Sequence, residues 1–181
     1  MAQNNVLFPN VRDGESFMVG NIEFIKFPDK DGMTPVIARN VAFISDFGDN
    51  NNLAESKVLK RMQQEFLPKV AEVVGKENLC AFKTNLTTWD GLKNYGVLES
   101  KISLPTMDFY REHVEIFDQY RVDRWCWLAT PESAEPHDDP EFLLCVSPSG
   151  NLDGDIYCGG RRIGVRPFLY FDSSIFGPCE Q

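Results

Sequence analysis

Three side-chain oxygens at alternate positions of one turn are the first candidates for chemistry in this chain. They belong to Asn151, Asp153 and Asp155. Hard cations such as Ca²⁺ prefer oxygen ligands of this kind, so calcium is a candidate cofactor. The segment lacks the remainder of an EF-hand loop and its closing Glu, and the preferred interpretation is an Asx-type turn between two strands. We therefore expect no cofactor, with calcium as the alternative.

Groups that could perform catalysis are sparse. The only histidines are His113 and His137, so a base-activated nucleophile has few candidates. The sequence contains no nucleophile elbow, phosphate-binding loop or zinc-protease motif. Carboxylates are plentiful, but no pattern brings two of them to acid/base distance. We expect that the protein is not an enzyme, and we assign no catalytic residue.

The cysteines form no C-x-x-C pair, and their number is odd. Three of the five lie inside apolar, strand-like runs, which predicts reduced, buried thiols that act as small hydrophobic side chains. A thiolate metal site is not expected, because ligand spacing and partner histidines are missing. The cysteines are Cys80, Cys126, Cys145, Cys158 and Cys179.

The charge of the chain excludes some partners. The formal net charge is −9 and the isoelectric point is about 4.7, so the protein's field repels phosphate backbones and we expect no nucleic-acid partner. No apolar run approaches the length of a membrane span, and the first residues lack a basic region followed by an apolar one. We therefore expect synthesis in the cytosol and no membrane partner, with any exit by lysis, by assembly into a particle or by an unusual route.

The first half of the chain alternates strand and helix patterns. Residues 17–27 and 34–45 are each predicted to form one strand of a hairpin-like opening. Apolar residues at helical spacing predict a helix after Asn52, broken at Pro68 and ended by Gly75.

The second half is predicted to complete a sheet. We expect a short strand at 102–104, a helix at 107–117 with Phe109, Val114 and Phe117 facing inward, and then a run of antiparallel strands separated by Gly, Pro and Asn turns. This order predicts an α+β fold. We expect residues 1–15 to form an extended arm that can dock on a partner, and residues 16–181 to form a single domain.

Two segments near the end carry a structural signature. Trp125 and Trp127 share one strand face by the two-residue period. Arg166 is predicted to be a partly buried guanidinium that ties loop carbonyls or a carboxylate together. Pro167 within a strand-like run indicates an edge or a bulge. We expect the tryptophan pair and the Arg-Pro segment to pack side by side.

These segments resemble a family of bacterial and bacteriophage domains of unknown function with a C-type-lectin-like fold, related to the formylglycine-generating enzymes and to variable phage proteins. Residues 125–131, Trp-Cys-Trp-Leu-Ala-Thr-Pro, are similar to the family's Trp-Trp-Leu-Arg-Ser-Pro, with Ala129 in place of Arg. Residues 164–168, Gly-Val-Arg-Pro-Phe, are similar to Gly-Val-Arg-Pro-Ala. Residues 58–67 are similar to a family helix ending in Asn-x-x-Phe, with Gln63 in place of the Asn.

The resemblance covers about residues 16–176 and implies two helices packed on short mixed and antiparallel sheets, with a loop-rich C-terminal half. It implies a non-enzymatic binding or structural module, and first of all a bacteriophage virion component of tail, fibre or capsid decoration. The partners would be a protein or glycan on a host surface, or neighbouring virion proteins, and the chain is a candidate homo-oligomer. The alternatives are a formylglycine-type enzyme with a copper-binding cysteine pair and a cytoplasmic, phage-encoded inhibitor of a host protein.

The expected binding surface consists of the loops at 84–96, 132–140 and 151–162. Within them, residues 135–139, Glu-Pro-His-Asp-Asp, resemble the Glu-Pro-Asn calcium and sugar triplet of animal lectins, although a solvated acidic loop is the preferred interpretation. Aromatic stacking and charge-assisted contacts would come from six side chains. These are Trp89, Tyr95, His137, Tyr157, Arg161 and Arg162.

Overall fold

The computed structural model describes residues 6–160 and 162–178. The fold is α+β and mostly sheet, with few helices. The strands are β1 (Ser16–Val19), β2 (Ile22–Lys26), β3 (Met33–Ala38), β4 (Phe43–Ser45), β5 (Leu79–Cys80), β6 (Phe82–Asn85), β7 (Val97–Ser100), β8 (Cys126–Pro131), β9 (Phe142–Val146), β10 (Leu152–Tyr157), β11 (Ile163–Val165) and β12 (Phe168–Asp172). The helices are α1 (Lys57–Arg61), α2 (Leu67–Val74), α3 (Met107–Glu112) and α4 (Val114–Gln119).

The strands form two five-stranded sheets and one hairpin. The first sheet has the order β1-β2-β3-β12-β5, and all its pairs are antiparallel. The second sheet has the order β10-β9-β8-β11-β4, in which only β8 and β11 run parallel. Strands β6 and β7 pair with each other. Neither five-stranded sheet closes into a barrel over the described residues.

The first sheet is covered on both faces. Phe24 and Val36 point to the main core, which also contains side chains of α1, α2 and the second sheet. Their neighbours Ile25 and Ile37 point the other way, to a smaller cluster that includes Phe117 of α4. Successive side chains of a strand alternate between faces, so continuous apolar runs in β2 and β3 serve both clusters.

The tryptophan segment and the Arg-Pro segment are neighbours, as predicted. Gly164 of β11 is paired with Cys126 of β8, and the Gly164 N–H donates to the Trp125 carbonyl at 2.8 Å. Trp127 is almost fully buried, and its Nε1 donates to the Ser45 carbonyl at 3.0 Å. Trp125 is half-buried against the same main core, so the prediction that the two indoles share one face is confirmed.

Both strands predicted at the start of the chain are divided in the structure. Residues 17–27 form β1 and β2, joined by a tight turn at Gly20, whose φ is +59°. A Gly-Asn pair between apolar runs is a hairpin signal. The single-strand prediction was wrong because it ignored this turn signal. Residues 34–45 were also wrongly predicted as one strand, because β3 lies in the first sheet and β4 in the second.

The helix predictions were confirmed in part. Pro68 lies in the first turn of α2 and Gly75 caps its end with φ +86°, while a π-helical turn at Met62–Phe66 joins α1 to α2. The single helix at 107–117 was wrong, because it breaks at His113 into α3 and α4. Consequently Val114 is 39% exposed and does not face inward.

Two further segments differ from prediction. The strand expected at 102–104 is a single bridge between Ser103 and Phe168. The loop expected at 84–96 connects β6 to β7, which pair as a hairpin that was not predicted. In the N-terminal arm, the N–H groups of Leu7 and Phe8 donate to the Ile175 carbonyl at 2.8 and 2.9 Å. Residues 6–15 therefore pack on their own chain, and residues 1–5 lie outside the described range. In the described part of the chain, no helix has the length and apolarity needed to cross a bilayer.

We predict that Gly164→Ala destabilises the protein by about 1–3 kcal/mol, as expected for overpacking of a close contact. A Cβ at this position would lie 2.9 Å from the Trp125 carbonyl oxygen and 3.0 Å from Val41 Cγ2. Denaturant unfolding measures the change. Gly159→Ala is the matched control, because its Cβ would meet only the ring of Tyr157, which is free to move. Equal stability of the two variants would contradict the close pairing of β8 with β11.

Candidate functional site

An exposed indole beside a group of carboxylates forms the candidate site, which we call the Trp89 surface. Trp89 is 57% exposed. A Cβ placed on Gly154 of β10 would lie 3.4 Å from Trp89 Cζ3 and 3.4 Å from the Glu132 carboxyl carbon, so the indole and this carboxylate both lie over Gly154. The Trp89 surface comprises Trp89, Asp90, Glu132, His137, Asp153 and Asp155.

Backbone and amide hydrogen bonds hold the two loops of this surface together. The Trp89 N–H donates to the Pro131 carbonyl at 2.8 Å. Farther along the same loop, Asn94 Nδ2 donates to the Glu135 carbonyl at 2.7 Å. The loop that carries Trp89 is therefore fixed along the segment that leaves β8, and the indole is presented on a defined backbone.

Asp90 is the polar centre of the surface. Its carboxylate accepts hydrogen bonds from Ser133 Oγ at 2.6 Å and from the Thr88 hydroxyl, and it lies 2.9 Å from His137 Nδ1. The Ser133 and Thr88 bonds are the main reason that the pKa of Asp90 falls to about 2. Asp90 is thus ionised at neutral pH, and it orients the exposed ring of His137.

Glu132 has the opposite electrostatic environment. Burial raises the pKa of its carboxyl, and the negative charges of Asp155, Asp138, Asp153 and Asp90 raise it further. The ionised form of Glu132 is therefore less stable here than that of an isolated carboxyl group in water. A ligand that brought positive charge to this surface would relieve that repulsion.

Tyr95, expected to contact a ligand, serves an internal network instead. Its hydroxyl donates to Asn51 Oδ1 at 2.7 Å, and its ring packs against the main core. Asn51 is fully buried, and its Nδ2 donates to the carbonyls of Ser133 and Phe142 at 2.9 Å each. This buried network fixes the backbone of the acidic loop at residues 132–140 on the side that faces the core. Asn51 was missed at the sequence level, because the Asn-rich stretch predicted only a helix cap.

Of the three residues weighed as calcium ligands, Asn151 lies just before β10, whereas Asp153 and Asp155 lie within β10 itself. The preferred interpretation, an Asx-type turn between two strands, was therefore wrong for these two aspartates, because the turn comes earlier in the chain. Asp153 Oδ1 accepts from the Asp155 N–H at 3.1 Å, which is an Asx-type bond. The Asn151 N–H donates to Ser147 Oγ, and its side-chain amide donates to Ser149 Oγ. Within residues 6–160 and 162–178, no three His, Cys, Asp or Glu side chains form a group that could hold a metal ion.

The remaining predicted binding residues are dispersed. Tyr157 is 43% exposed at the end of β10, where its ring lies 6.3 Å from that of Phe142. Arg162 Nη2 contacts the Ile44 carbonyl at 3.4 Å in β4, the opposite edge strand of the second sheet. Arg161 lies outside the described residues. The structure thus joins Trp89, His137, Asp153 and Asp155, but it does not place Arg162 with them.

The cysteine prediction is largely confirmed. Cys126, Cys145 and Cys158 are buried, whereas Cys80 is half-buried and Cys179 lies outside the described range. Burial raises the pKa of the Cys126 thiol to about 11, so this thiol is neutral at physiological pH.

The fold and the Trp89 surface together define an α+β, mostly sheet protein with one aromatic and acidic loop surface. Compared with models of protein families, with curated proteins and with solved structures, the chain matches none of them. Its function must therefore be argued from the geometry.

We predict that Glu132→Gln stabilises the protein at neutral pH. A carboxyl with a raised pKa in the folded state contributes stability below its unfolded value, 4.5, and loses it as pH rises through the folded value. The gain from Gln should therefore vanish as the pH falls below about 4.5. Urea unfolding across this pH range is the measurement, and a gain that persists at low pH would contradict the assigned environment.

Asp90→Asn should show the reverse pattern. Because the pKa of Asp90 is lowered in the folded state, its carboxylate stabilises the fold at pH values above 3.8, the pKa in the unfolded state. This stabilisation is lost as the pH falls towards about 2, the pKa in the folded state. This variant is therefore expected to be less stable than the wild type at pH 7, with the difference shrinking between about pH 4 and pH 2. A constant difference would indicate that packing, and not ionisation, is responsible.

Proposed function

We propose that the protein is a non-enzymatic binding module that contacts a protein or glycan through the Trp89 surface. The observation that carries the proposal is an exposed indole, held on a fixed backbone, beside a carboxyl group whose pKa is raised by burial and by its acidic neighbours. Large exposed aromatic side chains are over-represented at binding hot spots. A fixed aromatic side chain also loses little conformational entropy when a ligand binds.

The charge of the surface favours a protein partner with exposed Lys or Arg side chains. An ammonium or guanidinium group can lie over the Trp89 ring, and it would also pair with Glu132 and its acidic neighbours. A neutral glycan could stack on the indole and donate hydroxyl hydrogen bonds to the carboxylates. It would leave the repulsion around Glu132 in place, so a glycan is the second candidate.

The C-type-lectin-like fold and the virion assignment belong to the same proposal. The first sheet joins strands from the beginning of the chain to β12 near its end, and the chain between them supplies the loops of the Trp89 surface. The Trp-Cys-Trp and Gly-Val-Arg-Pro segments that resemble the phage family lie side by side. These features support a virion component in which the Trp89 surface meets a host protein or a neighbouring virion protein.

A formylglycine-type enzyme is the weaker candidate. Such chemistry needs cysteines that readily form thiolates, whereas burial holds the Cys126 thiol in its neutral form. The Trp89 surface supplies carboxylates and one imidazole, and among the described residues the side-chain partner of His137 is the Asp90 carboxylate, not a hydroxyl or thiol. A cytoplasmic inhibitor of a host protein would use the same acidic surface. The location of the protein, in particles or in the cytosol, distinguishes the two assignments.

Trp89→Ala should weaken binding of a Lys- and Arg-rich peptide by about tenfold or more, the usual loss at an aromatic hot spot. Calorimetry with this peptide and with a neutral oligosaccharide measures the preference. Met18→Ala is the matched control, because Met18 is similarly exposed at 53% but lies on the edge strand β1 of the other sheet. Glu132→Gln should weaken peptide binding and leave oligosaccharide binding unchanged.

If Trp89→Ala and Met18→Ala bind the peptide equally, the Trp89 surface is not the binding site. Stronger binding of the oligosaccharide than of the peptide would reverse the preferred ligand class. Added salt should weaken peptide binding steeply, because surface charges are screened within about 8 Å at physiological ionic strength.

The virion assignment is tested by mass spectrometry of purified phage particles. We expect peptides of this chain at the stoichiometry of a structural protein. Their absence from particles, together with co-purification of one host protein from the cytosol, would replace the virion assignment with the inhibitor.

A further inference from the structure

A small cavity lies away from the Trp89 surface, between the start of β8, helix α4 and the Arg-Pro link. Its volume is about 30 Å³. Apolar side chains such as Ile37, Phe117 and Leu128 form much of its wall, and Arg166 is its buried charge. Arg121 and Arg124 line it as well, and both are exposed to solvent.

The guanidinium of Arg166 is only partly satisfied. Arg166 is 7% exposed, and its Nε donates to the Ala38 carbonyl at 2.9 Å. Its Nη2 is buried and has no hydrogen-bond partner among the described residues. The guanidinium carbon lies 5.9 Å from the centroid of the Phe117 ring, which offers weak cation–π attraction but no acceptor atom.

This buried cation also has no carboxylate beside it in the described structure. The charged or titratable groups that influence the pKa of Arg166 are Cys126, Arg39 and Tyr110. Burial raises the pKa of the Cys126 thiol to about 11 and also raises the pKa of the Tyr110 phenol, so both are neutral at physiological pH. A buried charge without a counter-ion is strongly destabilising, which makes the arrangement incomplete as it stands.

The acidic side chain that is paired with Arg121 does not neutralise Arg166. Arg121 is paired with Asp118, with Nε and Nη2 at 3.1 and 2.9 Å from Oδ1. That carboxylate is therefore engaged at the rim. With Arg124 also on the wall, the cavity as a whole attracts an anion.

We propose that this cavity binds a single small monovalent anion, chloride or another halide, which accepts a hydrogen bond from the Arg166 guanidinium. The cavity volume of about 30 Å³ exceeds the roughly 10–15 Å³ that one water molecule needs, so there is room for one small occupant. The mostly apolar walls favour a weakly hydrated halide, because a strongly hydrated or multivalent oxyanion would lose more solvation than one guanidinium returns. A single negative charge also matches the single unpaired cation.

The position of the site gives the anion a structural consequence. Arg166 lies in the link between β11 of the second sheet and β12 of the first, and its Nε is bonded to β3. An anion that neutralises this guanidinium stabilises the junction of the two sheets. The inference is independent of the proposed function, since the Trp89 surface lies on the loops at the β10 edge.

The test is crystallography of the wild-type protein grown in sodium bromide, with anomalous diffraction recorded at the bromine edge. We expect an anomalous peak in the cavity within hydrogen-bonding distance of a guanidinium nitrogen of Arg166. A peak confined to the protein surface marks an adventitious ion only, and it would overturn the proposal. Electron density without anomalous signal in the cavity would identify a water molecule, with the same consequence.

Solution measurements provide a second arm. The unfolding temperature of the wild type should rise saturably with sodium chloride or bromide, and chloride NMR lines should broaden in its presence. Arg166→Met should weaken halide binding by about tenfold or more, since it removes the charge-assisted bond. Arg61→Gln, which alters an arginine of α1 that is paired with Glu65 at 2.9 Å and does not line the cavity, should bind halide within a factor of about two of the wild type.

Equal loss in both variants would indicate a diffuse surface effect and would refute the site. If Arg166→Met does not fold, Arg166→Gln takes its place in the titration, because it also removes the charge, and the same loss of about tenfold or more is expected. Failure of the wild-type bromide experiment is decisive without any variant, and it leaves the binding function of the Trp89 surface unaffected.

Discussion

The structure depends on the crossing of the chain from one sheet to the other at Arg166 and Pro167. Strand β11 ends in the second sheet and β12 begins in the first, with only these two residues between them. Ala38 fixes this crossing from both sides, because its N–H donates to the Pro167 carbonyl and its carbonyl accepts from Arg166 Nε, each at 2.9 Å. Pro167 has no N–H of its own to satisfy, which suits a link that leaves one sheet before it enters the next.

This crossing sets the positions of both sheets and, through them, of the loops. With β11 held against β8, the antiparallel partners β9 and β10 follow in order towards the outer edge. Gly154 of β10 then lies under Trp89 and Glu132, so the exposed indole is positioned by a chain of strand pairings that begins at the crossing. Buried Asn51 adds a second restraint, since it joins Tyr95 to the backbone of the acidic loop.

Local signals in the sequence predicted more of the fold than its long-range pairing. The position of Pro68 at the start of a helix, the cap at Gly75 and the adjacency of the two signature segments were correct, because each follows from backbone chemistry or a strand period. The break expected at Pro68 was wrong, because a π-helical turn joins α1 to α2 without interruption. The division of residues 34–45 between two sheets was missed, since no residue type records which sheet a strand joins. The break at His113 was missed for a similar reason. The apolar spacing is that of one continuous helix, and tertiary packing overrides this local preference. At the site, Trp89 and His137 were found from loop composition, whereas Asn51 and Glu132 were not, because their importance arises from burial.

The contact between Leu7 and Ile175 means that the described chain enters and leaves the fold at one place. A unit whose two ends lie close together can be inserted into a surface loop of a larger protein without distorting the backbone of that loop. The same geometry allows the original ends to be joined by a short linker and new ones to be opened elsewhere. A unit inserted in this way is attached to the carrier protein at one site, and the rest of its surface stays accessible to binding partners.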